Sequence, residues 1–369
     1  MKNIMLYTLG NVCIQPNTII YTFNESADPY VGKRSQELYD ALNRHYNIVS
    51  WACGRYGQRT YSVKLGQEWK IKMEEHIQKT RESGITIDFA IQMCGHPTMV
   101  QPYPYFIFSD FMPYIDISEL DDNPFPNYKK NFVHEQDELY QKASGVICLT
   151  PLSKKMVIDY HGVRPSNTTV IASGVNDHMN NWVKQPEKII LWVGTDYVRK
   201  AGEDVLNAFA RLRKDDPEYE LHMVGIKKDI SQKGVFIYPF MSNSEISVLT
   251  NLYEKAKLFV MPSYRENAGL VYFEALAYGT PVICTTRGGS AEIIRRSHCG
   301  KVVKPGDVDA IYTAMKDMIK NDIMYNWYSK NAFRFSSDNT YWDIAIKRMK
   351  DAIGKWLNNE SVQDDYIKY

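Results

Sequence analysis

Two glutamates flank a glycine-containing step in the stretch "ENAGLVYFEALAYGTPVI" (266–283). Glu266 precedes an apolar run that predicts a helix beginning near Gly269, and Glu274 lies about one turn inside that helix. A helix start has free N–H groups and a partial positive charge, so it attracts anions, and glycine lets a ligand approach the backbone closely. The carboxylate of Glu274 leans back toward the helix start, where it can accept two hydrogen bonds from a vicinal diol such as a ribose.

This pattern is typical of a binding site for a ligand that has a phosphate group between two sugars. Glu266 would bind hydroxyls on one side of a diphosphate and Glu274 those on the other side, which describes a nucleotide sugar. The alternative is an ordinary helix with a glutamate near its start and an exposed glutamate in the preceding loop. The residues alone leave both interpretations open.

Length and composition limit the class of protein. A chain of 369 residues can form two domains that each bury a core, and 44% hydrophobic with 24% charged residues is typical of a soluble globular protein. The formal charge of +1 provides no general attraction to nucleic acid or acidic lipid, so a nucleic-acid partner is not expected.

Cysteine spacing and hydropathy predict a cytoplasmic protein. The six cysteines lie far apart without a CxxC pair, which favours a reducing compartment over a zinc site or a disulfide framework. The first residues are too polar and too short a run to be a signal peptide. No run approaches the ~18 apolar residues that cross a bilayer.

Short apolar runs alternate with helix-like segments along the chain. Predicted strands are 3–8, 46–51, 88–93, 105–109 and 145–150, then 188–194, 219–225, 235–240, 256–263 and 281–286. Predicted helices are 32–45, 134–143, 201–214, 244–256, 270–279, 307–321 and 341–359. This rhythm predicts parallel sheets with helices on both faces, and a polar stretch near 176–187 divides it into two doubly wound domains that face each other across a cleft. In such sheets ligands bind outside the carboxyl ends of the strands.

The segment around the two glutamates resembles the EX7E segment of retaining GT-B glycosyltransferases, specifically glycosyltransferase family 4. Lys200 occupies the position at which a lysine of that family reaches the donor diphosphate. The resemblance is specific over roughly 138–335 and weak before that. The matching segments are 138–177, 191–212, 262–294 and 300–315.

The resemblance implies a GT-B fold with two Rossmann-like domains. The expected domains are an acceptor-side domain at 1–180, a donor-binding domain at 187–335, and a C-terminal helix at 340–369 that packs back on the first. The implied activity is transfer of a sugar, with retained anomeric configuration, from a nucleotide-diphosphate sugar to an acceptor hydroxyl. Members of this fold generally need no metal, so we expect neither a metal site nor a cofactor beyond the nucleotide-sugar co-substrate.

The resemblance also implies roles for particular residues. The helix start and Lys200 would stabilise the departing diphosphate, Glu274 would bind the ribose, and Glu266 would bind the donor sugar. The base would lie near 238–241. The expected catalytic residues are Glu266, Lys200, Asp110 and His96. The expected donor-binding residues are Gly10, Asn11, Arg199, Lys200, Tyr238, Phe240, Met241, Glu266, Asn267, Ala268, Gly269, Leu270 and Glu274.

Three departures from the family pattern keep other functions open. Thr195 stands where the family has an arginine, for which Arg199 is the candidate substitute. Ser109 and Asp110 replace a usual His-Asp pair, which makes His96 a candidate for the missing histidine, and the N-terminal Gly-Gly loop is absent. The alternatives are an inactive nucleotide-sugar-binding or partner subunit and, third, a nucleotide-sugar epimerase.

The acceptor is not defined by these patterns. A glycan, a lipid-linked sugar and a small molecule all remain open. The aromatic segment 101–132 ends near Lys129 and Lys130 and leaves a weak peripheral membrane contact open, although an acidic "ELDD" interrupts it and an ordinary strand and loop is the preferred interpretation. The nucleotide base, the donor sugar and the oligomeric state are likewise not predicted.

Overall fold

A computed structural model describes residues 3–9, 38, 40–53, 74, 78–79, 82–84, 86–93, 103–109, 137–241, 245–362 and 365–369. The chain divides into two compact units. The first unit comprises residues 1–149, 153–171 and 345–366, and the second comprises residues 150–152, 172–344 and 367–369.

The first unit contains a six-stranded, all-parallel sheet in the order β2-β1-β3-β4-β5-β6. Its strands are β1 (Asn3–Leu9), β2 (Asn47–Cys53), β3 (Phe89–Met93), β4 (Tyr105–Ser109), β5 (Gly145–Cys148) and β6 (Thr168–Val170). The order reverses between β1 and β3, because the chain proceeds from β1 to one side and then from β3 to the other. β4 and β5 are buried along their whole length, as expected for strands covered on both faces.

Helices and aromatic side chains cover this first sheet. Helical residues occur at 40–43 and 137–142, followed by α1 (Pro151–His161) and a short 3-10 turn at Pro165–Asn167. The C-terminal helix of the chain returns to this unit from residue 345 onward and packs the indole of Trp356 on the ring of Phe106, 5.8 Å between centroids. A Cβ atom at Gly145 would lie 2.2 Å from the same indole, so only glycine fits there.

The second unit contains another six-stranded, all-parallel sheet, in the order β12-β11-β10-β7-β8-β9. Its strands are β7 (Ile189–Val193), β8 (Glu220–Val224), β9 (Val235–Tyr238), β10 (Leu258–Val260), β11 (Val282–Thr285) and β12 (Gly300–Val303). The order reverses between β7 and β10. The central strands β7 and β10 are fully buried.

Helices connect strands of this sheet, as the alternation predicts, and further helices follow its last strand, β12. They are α2 (Gly202–Asp215), α3 (Ile246–Lys255), α4 (Leu270–Ala277), α5 (Ala291–Arg296), α6 (Val308–Ile319), α7 (Asp322–Asn339) and α8 (Trp342–Leu357). Asp307 caps α6 by accepting a hydrogen bond from the N–H of Ala310. The side chain of Asn321 caps α7 by accepting a hydrogen bond from the N–H of Met324. These two helices therefore begin where a polar side chain satisfies a free N–H group.

Two parallel-sheet α/β units confirm the predicted fold class. Strands β6 and β12 and helices α1, α5 and α7 add to the predicted elements. β6, β12 and α5 are too short for periodicity to reveal, and α7 carries many residues of modest helix propensity along "DIMYNWYSKNAFRFSSDN". In the described part of the chain, no helix combines the length and hydropathy needed to cross a membrane.

Candidate functional site

Two of the predicted functional residues follow the two strands at which the second sheet reverses its order. β7 and β10 are paired neighbours, and their carboxyl ends lie at Val193 and Val260. Lys200 lies in the loop after β7 and Glu266 in the loop after β10. The crevice outside the carboxyl ends of strands at such a switch point is the usual ligand site of open α/β sheets.

The loops after β7 and β10 bring two cations to one carboxylate. The Oε2 atom of Glu266 lies 3.5 Å from Nη1 of Arg199 and 3.7 Å from Nζ of Lys200. The Nη1 atom of Arg199 also donates to the carbonyl of Arg265 at 2.9 Å, and its Nε lies 3.3 Å from Asp196. Arg199 therefore bridges the two loops, although it is the sequence neighbour of Lys200.

The Lys200–Glu266 pair is largely shielded from solvent. Their side chains are 13% and 12% exposed, and the ammonium group also contacts Sδ of Met261 at 3.5 Å. Burial lowers the pKa of Lys200, while the neighbouring Glu266 carboxylate acts in the opposite direction. A cation held in such a partly dry position interacts strongly with an incoming anion.

Local backbone features position Lys200. A Cβ atom at Gly194 would lie 2.3 Å from Cδ of Lys200, so glycine at the end of β7 leaves room for the lysine stem. The indole of Trp192 donates to the carbonyl of Lys200 at 3.0 Å. Ala201 then takes a left-handed conformation, with φ 55°, directly before α2. The loop conformation is thus fixed at both ends.

The start of α4 is adjacent to Glu266. Gly269 has φ 62° and precedes the helix, and a Cβ atom there would lie 2.3 Å from the Tyr272 ring and 3.0 Å from Cγ of Glu266. The first turn of α4 has neither a side-chain cap nor an acidic residue. Its N–H groups are therefore suited to an anion.

Backbone contacts fix the loop before α4. The N–H of Gly289 donates to the carbonyl of Asn267 at 2.8 Å, and the hydroxyl of Ser290 donates to the carbonyl of Ala268. The N–H of Glu266 donates to the carbonyl of Arg287 at 3.1 Å. The loop after β11 thus holds the predicted phosphate-binding turn in place.

Glu274 is held by a tyrosine from the preceding helix. The hydroxyl of Tyr253, near the end of α3, donates to Oε2 of Glu274 at 2.9 Å. Tyr253 is 3% exposed, and its carbonyl accepts hydrogen bonds from Lys184 and Thr280. One carboxylate oxygen of Glu274 thus has a fixed partner, which sets the orientation of the group.

Tyr238, which is predicted to lie near the nucleotide base, is hydrogen-bonded to a residue of the neighbouring strand β8. Its hydroxyl lies 3.0 Å from Nδ1 of His222, whose Nε2 lies 3.1 Å from Glu220. His222 is two residues before the end of β8, so the tyrosine ring covers the sheet face and does not extend past the carboxyl end. Phe240 and Met241 follow β9 and are half-buried, so they extend beyond the strand.

The residues at which this chain departs from the family pattern have different surroundings. Thr195 is exposed, and Arg199 provides the second cation near Glu266. Ser109 is fully buried, and its hydroxyl lies 3.2 Å from that of Tyr140, which gives it a packing role. Four predicted site residues lie outside the described residues: Gly10, Asn11, His96 and Asp110.

Sequence reasoning missed several residues of this site. Asp196 holds Arg199 through its carboxylate, Ser263 donates to Glu266 at 3.4 Å, and Tyr253 donates to Glu274. The spacing of three between Asp196 and Arg199 is a recognisable local signal. Tyr253 and Glu274 are far apart in sequence on successive helices, so no local pattern connects them.

Comparisons of fold agree with this architecture. Sucrose-phosphate synthase from Thermosynechococcus elongatus has a TM-score of 0.70 at 16% identity, covering 98% of this chain and 100% of that one. Anabaena HepE in complex with UDP-glucose has a TM-score of 0.64 at 14% identity, covering 95% of this chain and 99% of that one. The two sheets and their reversal points thus define a protein of the GT-B fold class.

Sequence comparison finds a family match within the second unit. Residues 176–335 match the model of the family Glycosyl transferases group 1, and this segment contains Arg199, Lys200, Glu266 and Glu274. D-inositol 3-phosphate glycosyltransferase from Geodermatophilus obscurus is 24% identical over 59% of this chain, and mannosylfructose-phosphate synthase from Agrobacterium fabrum is 22% identical over 81%. The alignments span 54% and 64% of those relatives' own lengths.

Proposed function

We propose that this protein is a retaining glycosyltransferase that takes its sugar from a nucleotide-diphosphate sugar. The observation that carries the proposal is the convergence of Arg199, Lys200 and Glu266 beside the uncapped start of α4, at the reversal point of the second sheet. Cations and a helix start together match a diphosphate, and a carboxylate matches sugar hydroxyls.

In the proposed reaction the bond between the donor sugar and the diphosphate breaks, and a bond to the acceptor oxygen forms on the same face of the sugar. As it attacks, the acceptor hydroxyl gives its proton to an oxygen of the leaving diphosphate. Lys200, Arg199 and the N–H groups of α4 stabilise the charge that develops on the leaving diphosphate, without help from a metal ion. Because this charge is largest late in the reaction, the cations favour the transition state over the bound donor.

Glu266 and Glu274 orient the two ends of the donor. Glu266 accepts hydrogen bonds from hydroxyls of the transferred sugar, and Glu274 accepts those of the ribose, with Tyr253 occupying its other oxygen. Donor binding moves Arg199 and Lys200 from Glu266 toward the phosphates, which frees the carboxylate for the sugar. The proposed acceptors are a glycan, a lipid-linked sugar or a small molecule. With a lipid-linked sugar as the acceptor, the proposal includes weak peripheral contact of the protein with the membrane.

The first experiment is a calorimetric panel of UDP-, GDP- and ADP-sugars with wild type and Glu274→Ala, with and without magnesium. We expect one nucleotide to bind the wild type, Glu274→Ala to lose most of that affinity, and magnesium to have no effect. A ligand at about 100 times its dissociation constant adds ~2.7 kcal/mol to the free energy of unfolding, which thermal shift detects readily. Uridine compounds are tested first because a similar structure, Anabaena HepE, is described in complex with UDP-glucose.

The outcomes separate the alternatives. Donor binding without transfer to any acceptor would favour an inactive binding subunit, in line with Thr195 and Ser109 at positions where the family has arginine and histidine. Isomerised donor in the absence of acceptor would favour an epimerase. If no nucleotide binds at millimolar concentration, the proposal is wrong.

A further inference from the structure

The first turns of α7 expose a cluster of apolar side chains. Ile323 is 83% exposed, Met324 38% and Trp327 44%. Residues three and four apart share a face of a helix, so Trp327 lies one turn beyond both of the others. We call these three residues the α7 apolar cluster. Single exposed apolar residues are ordinary on a protein surface, whereas a contiguous group on one face indicates a contact surface.

The indole of Trp327 has fixed neighbours at this surface. Its ring centroid lies 5.3 Å from that of His298 and 4.9 Å from that of Tyr328. The side chain of Asn331 donates to the carbonyl of His298 at 3.3 Å, which ties this residue to α7. The indole is therefore held in place while it remains exposed. A rigid, amphipathic ring in such a position is typical of a contact with the headgroup region of a membrane.

Basic side chains lie on both sides of the α7 apolar cluster along the chain. Lys320 comes two residues before α7, and Lys330 and Arg334 follow Trp327 at helical spacings of three and seven. All three basic residues are exposed. The ammonium group of Lys330 lies 4.8 Å from the centroid of the Trp182 ring, which keeps it close to the surface of α7. An apolar cluster between basic residues is the pattern of a helix that lies on an anionic membrane.

The acidic residues of α7 do not cancel this positive charge. Each of its two aspartates has a basic neighbour at 3.9 Å: Asp322 with Lys257, and Asp338 with Arg334. Among the residues that the structure describes, neither Lys320 nor Lys330 forms an ion pair. The formal charge of +1 for the whole chain therefore includes a local excess of positive charge at this face.

We propose that the face formed by the α7 apolar cluster, Lys320 and Lys330 is a docking surface for a membrane that contains anionic lipid. The apolar side chains enter the boundary between headgroups and acyl chains, and the two lysines bind headgroup phosphates. A bilayer adapts to side chains that project from a convex helix, as Ile323 does.

This contact goes beyond the proposed function, because it does not depend on which acceptor the protein uses. It belongs to the second unit, whereas the aromatic segment 101–132 belongs to the first. One helix face with few apolar residues gives weak, reversible binding. Screening by salt should weaken it further, because the lysines act through their charge.

The test is flotation with vesicles of phosphatidylcholine alone and of phosphatidylcholine and phosphatidylglycerol in equal parts. We expect the wild type to float with the anionic vesicles only and to be released by salt. The double variant Ile323→Ser with Trp327→Ser should bind them about tenfold more weakly or less, because two apolar side chains no longer enter the bilayer. The double variant Lys320→Gln with Lys330→Gln should lose about fivefold for each lysine.

Matched controls make the same chemical changes elsewhere in the second unit. Val248→Ser removes an apolar side chain that is 44% exposed on α3, and Lys214→Gln with Lys233→Gln removes two exposed lysines. Both controls should bind vesicles like the wild type. Because all of these positions are exposed, calorimetry should show a Tm close to that of the wild type for every variant.

Three results would overturn the proposal. They are no binding of the wild type to anionic vesicles, equal binding to both vesicle types, and equal binding by the wild type and the α7 variants. A dimer in sedimentation that only the Ile323→Ser with Trp327→Ser variant dissociates, without vesicle binding, would assign the face to a second copy of the chain instead. Nucleotide binding measured on the same samples reports on the donor site, so failure of the proposed function is recognised separately.

Discussion

At the scale of single residues, the candidate site depends on polar groups that share partners. Glu266 lies between Arg199 and Lys200, and Glu274 lies against Tyr253. The Tyr253 hydroxyl thus orients Glu274 before a ligand arrives, and preorganised groups lose less entropy on binding than mobile ones. Two predictions concern these residues.

Tyr253→Phe should weaken donor binding by about threefold to tenfold, because loss of one hydrogen bond to a charged group allows Glu274 to rotate. The phenyl ring preserves the packing, so Tm should change little. Calorimetry with the nucleotide that the panel of UDP-, GDP- and ADP-sugars identifies measures the effect. Tyr312→Phe, which removes an exposed hydroxyl bonded to Asp215 on the surface, is the matched control and should bind donor normally. Unchanged affinity of Tyr253→Phe would show that Glu274 needs no support.

The pKa of Lys200 is lowered by burial, so the lysine loses its charge at a lower pH than an exposed lysine, whose pKa is about 10.4. As pH rises through the lowered pKa, the diphosphate loses its counter-charge and kcat/KM should fall. Lys200→Arg keeps a positive charge at every tested pH. Its profile should lack this alkaline decline, even if its overall activity is lower. The same decline in both proteins would assign it to another group.

At the scale of elements, two short loops and the helices behind them hold the site. α4 begins at a glycine in a left-handed conformation, and α3 ends at carbonyl groups that a lysine from the preceding segment satisfies. Both features set the position of a helix end, and both can be tested without a ligand.

Gly269→Ala should lower the free energy of unfolding by about 1–3 kcal/mol, because its φ of 62° disfavours a side chain and the new Cβ would lie 2.3 Å from Tyr272. Gly354→Ala provides the contrast, since Gly354 lies inside α8 with no atom within 4 Å of a Cβ. There alanine should stabilise by about 0.5–1 kcal/mol. Urea denaturation measures both. Equal effects of the two substitutions would contradict the difference in their surroundings.

Lys184 is buried, and its ammonium group donates to the carbonyls of Tyr253 and Glu254 and to the hydroxyl of Thr280. Lys184→Met should destabilise the second unit by about 1–3 kcal/mol, because these acceptors lose their donor. Burial also lowers the pKa of Lys184 to about 7. Between that value and the ordinary pKa of lysine, the unfolded chain binds more protons, so the free energy of unfolding rises with pH.

Urea titrations at several pH values between 6 and 10 compare the wild type with Lys184→Met. The stability difference between the two proteins should grow with pH above about 7, since only the wild type has this titrating group. A difference that stays constant across the range would mean that Lys184 keeps its proton in the folded state.

At the scale of the whole molecule, the chain forms two units, and the last helix returns to the first. Residues 345–366 belong to the first unit, although the preceding residues 172–344 belong to the second. Trp356 packs on Phe106, donates its indole N–H to the carbonyl of Ser166 at 3.0 Å, and fills the space left by Gly145. The first unit is therefore completed only when the C-terminal helix is present.

Trp356→Ala should lower the stability of the first unit by about 3–5 kcal/mol, the usual loss for a large buried aromatic side chain. The second unit should keep its own unfolding transition and its nucleotide-induced shift. Differential scanning calorimetry with and without nucleotide distinguishes the two transitions. Trp327→Ala, at a position 44% exposed on α7, should change stability much less. A single transition lowered as a whole would show that the two units unfold together.

The fold class could be predicted from the sequence, and the same residues led to the chemistry proposed for the donor site. Hydrophobic runs at regular intervals specify parallel strands, and the spacing from Glu266 to Glu274 across Gly269 specifies a helix start between two carboxylates, because both patterns depend on neighbours along the chain. The short elements β6, β12 and α5 lacked enough residues to form a periodic pattern.

Which side chains contact one another depends on the tertiary structure. The pairing of β7 with β10 brings Arg199 to Glu266, and packing of α3 beside α4 brings Tyr253 to Glu274. These contacts join residues from separate elements, so they depend on sheet order and on helix packing. Sheet order is set by burial of whole strands, which no local spacing records.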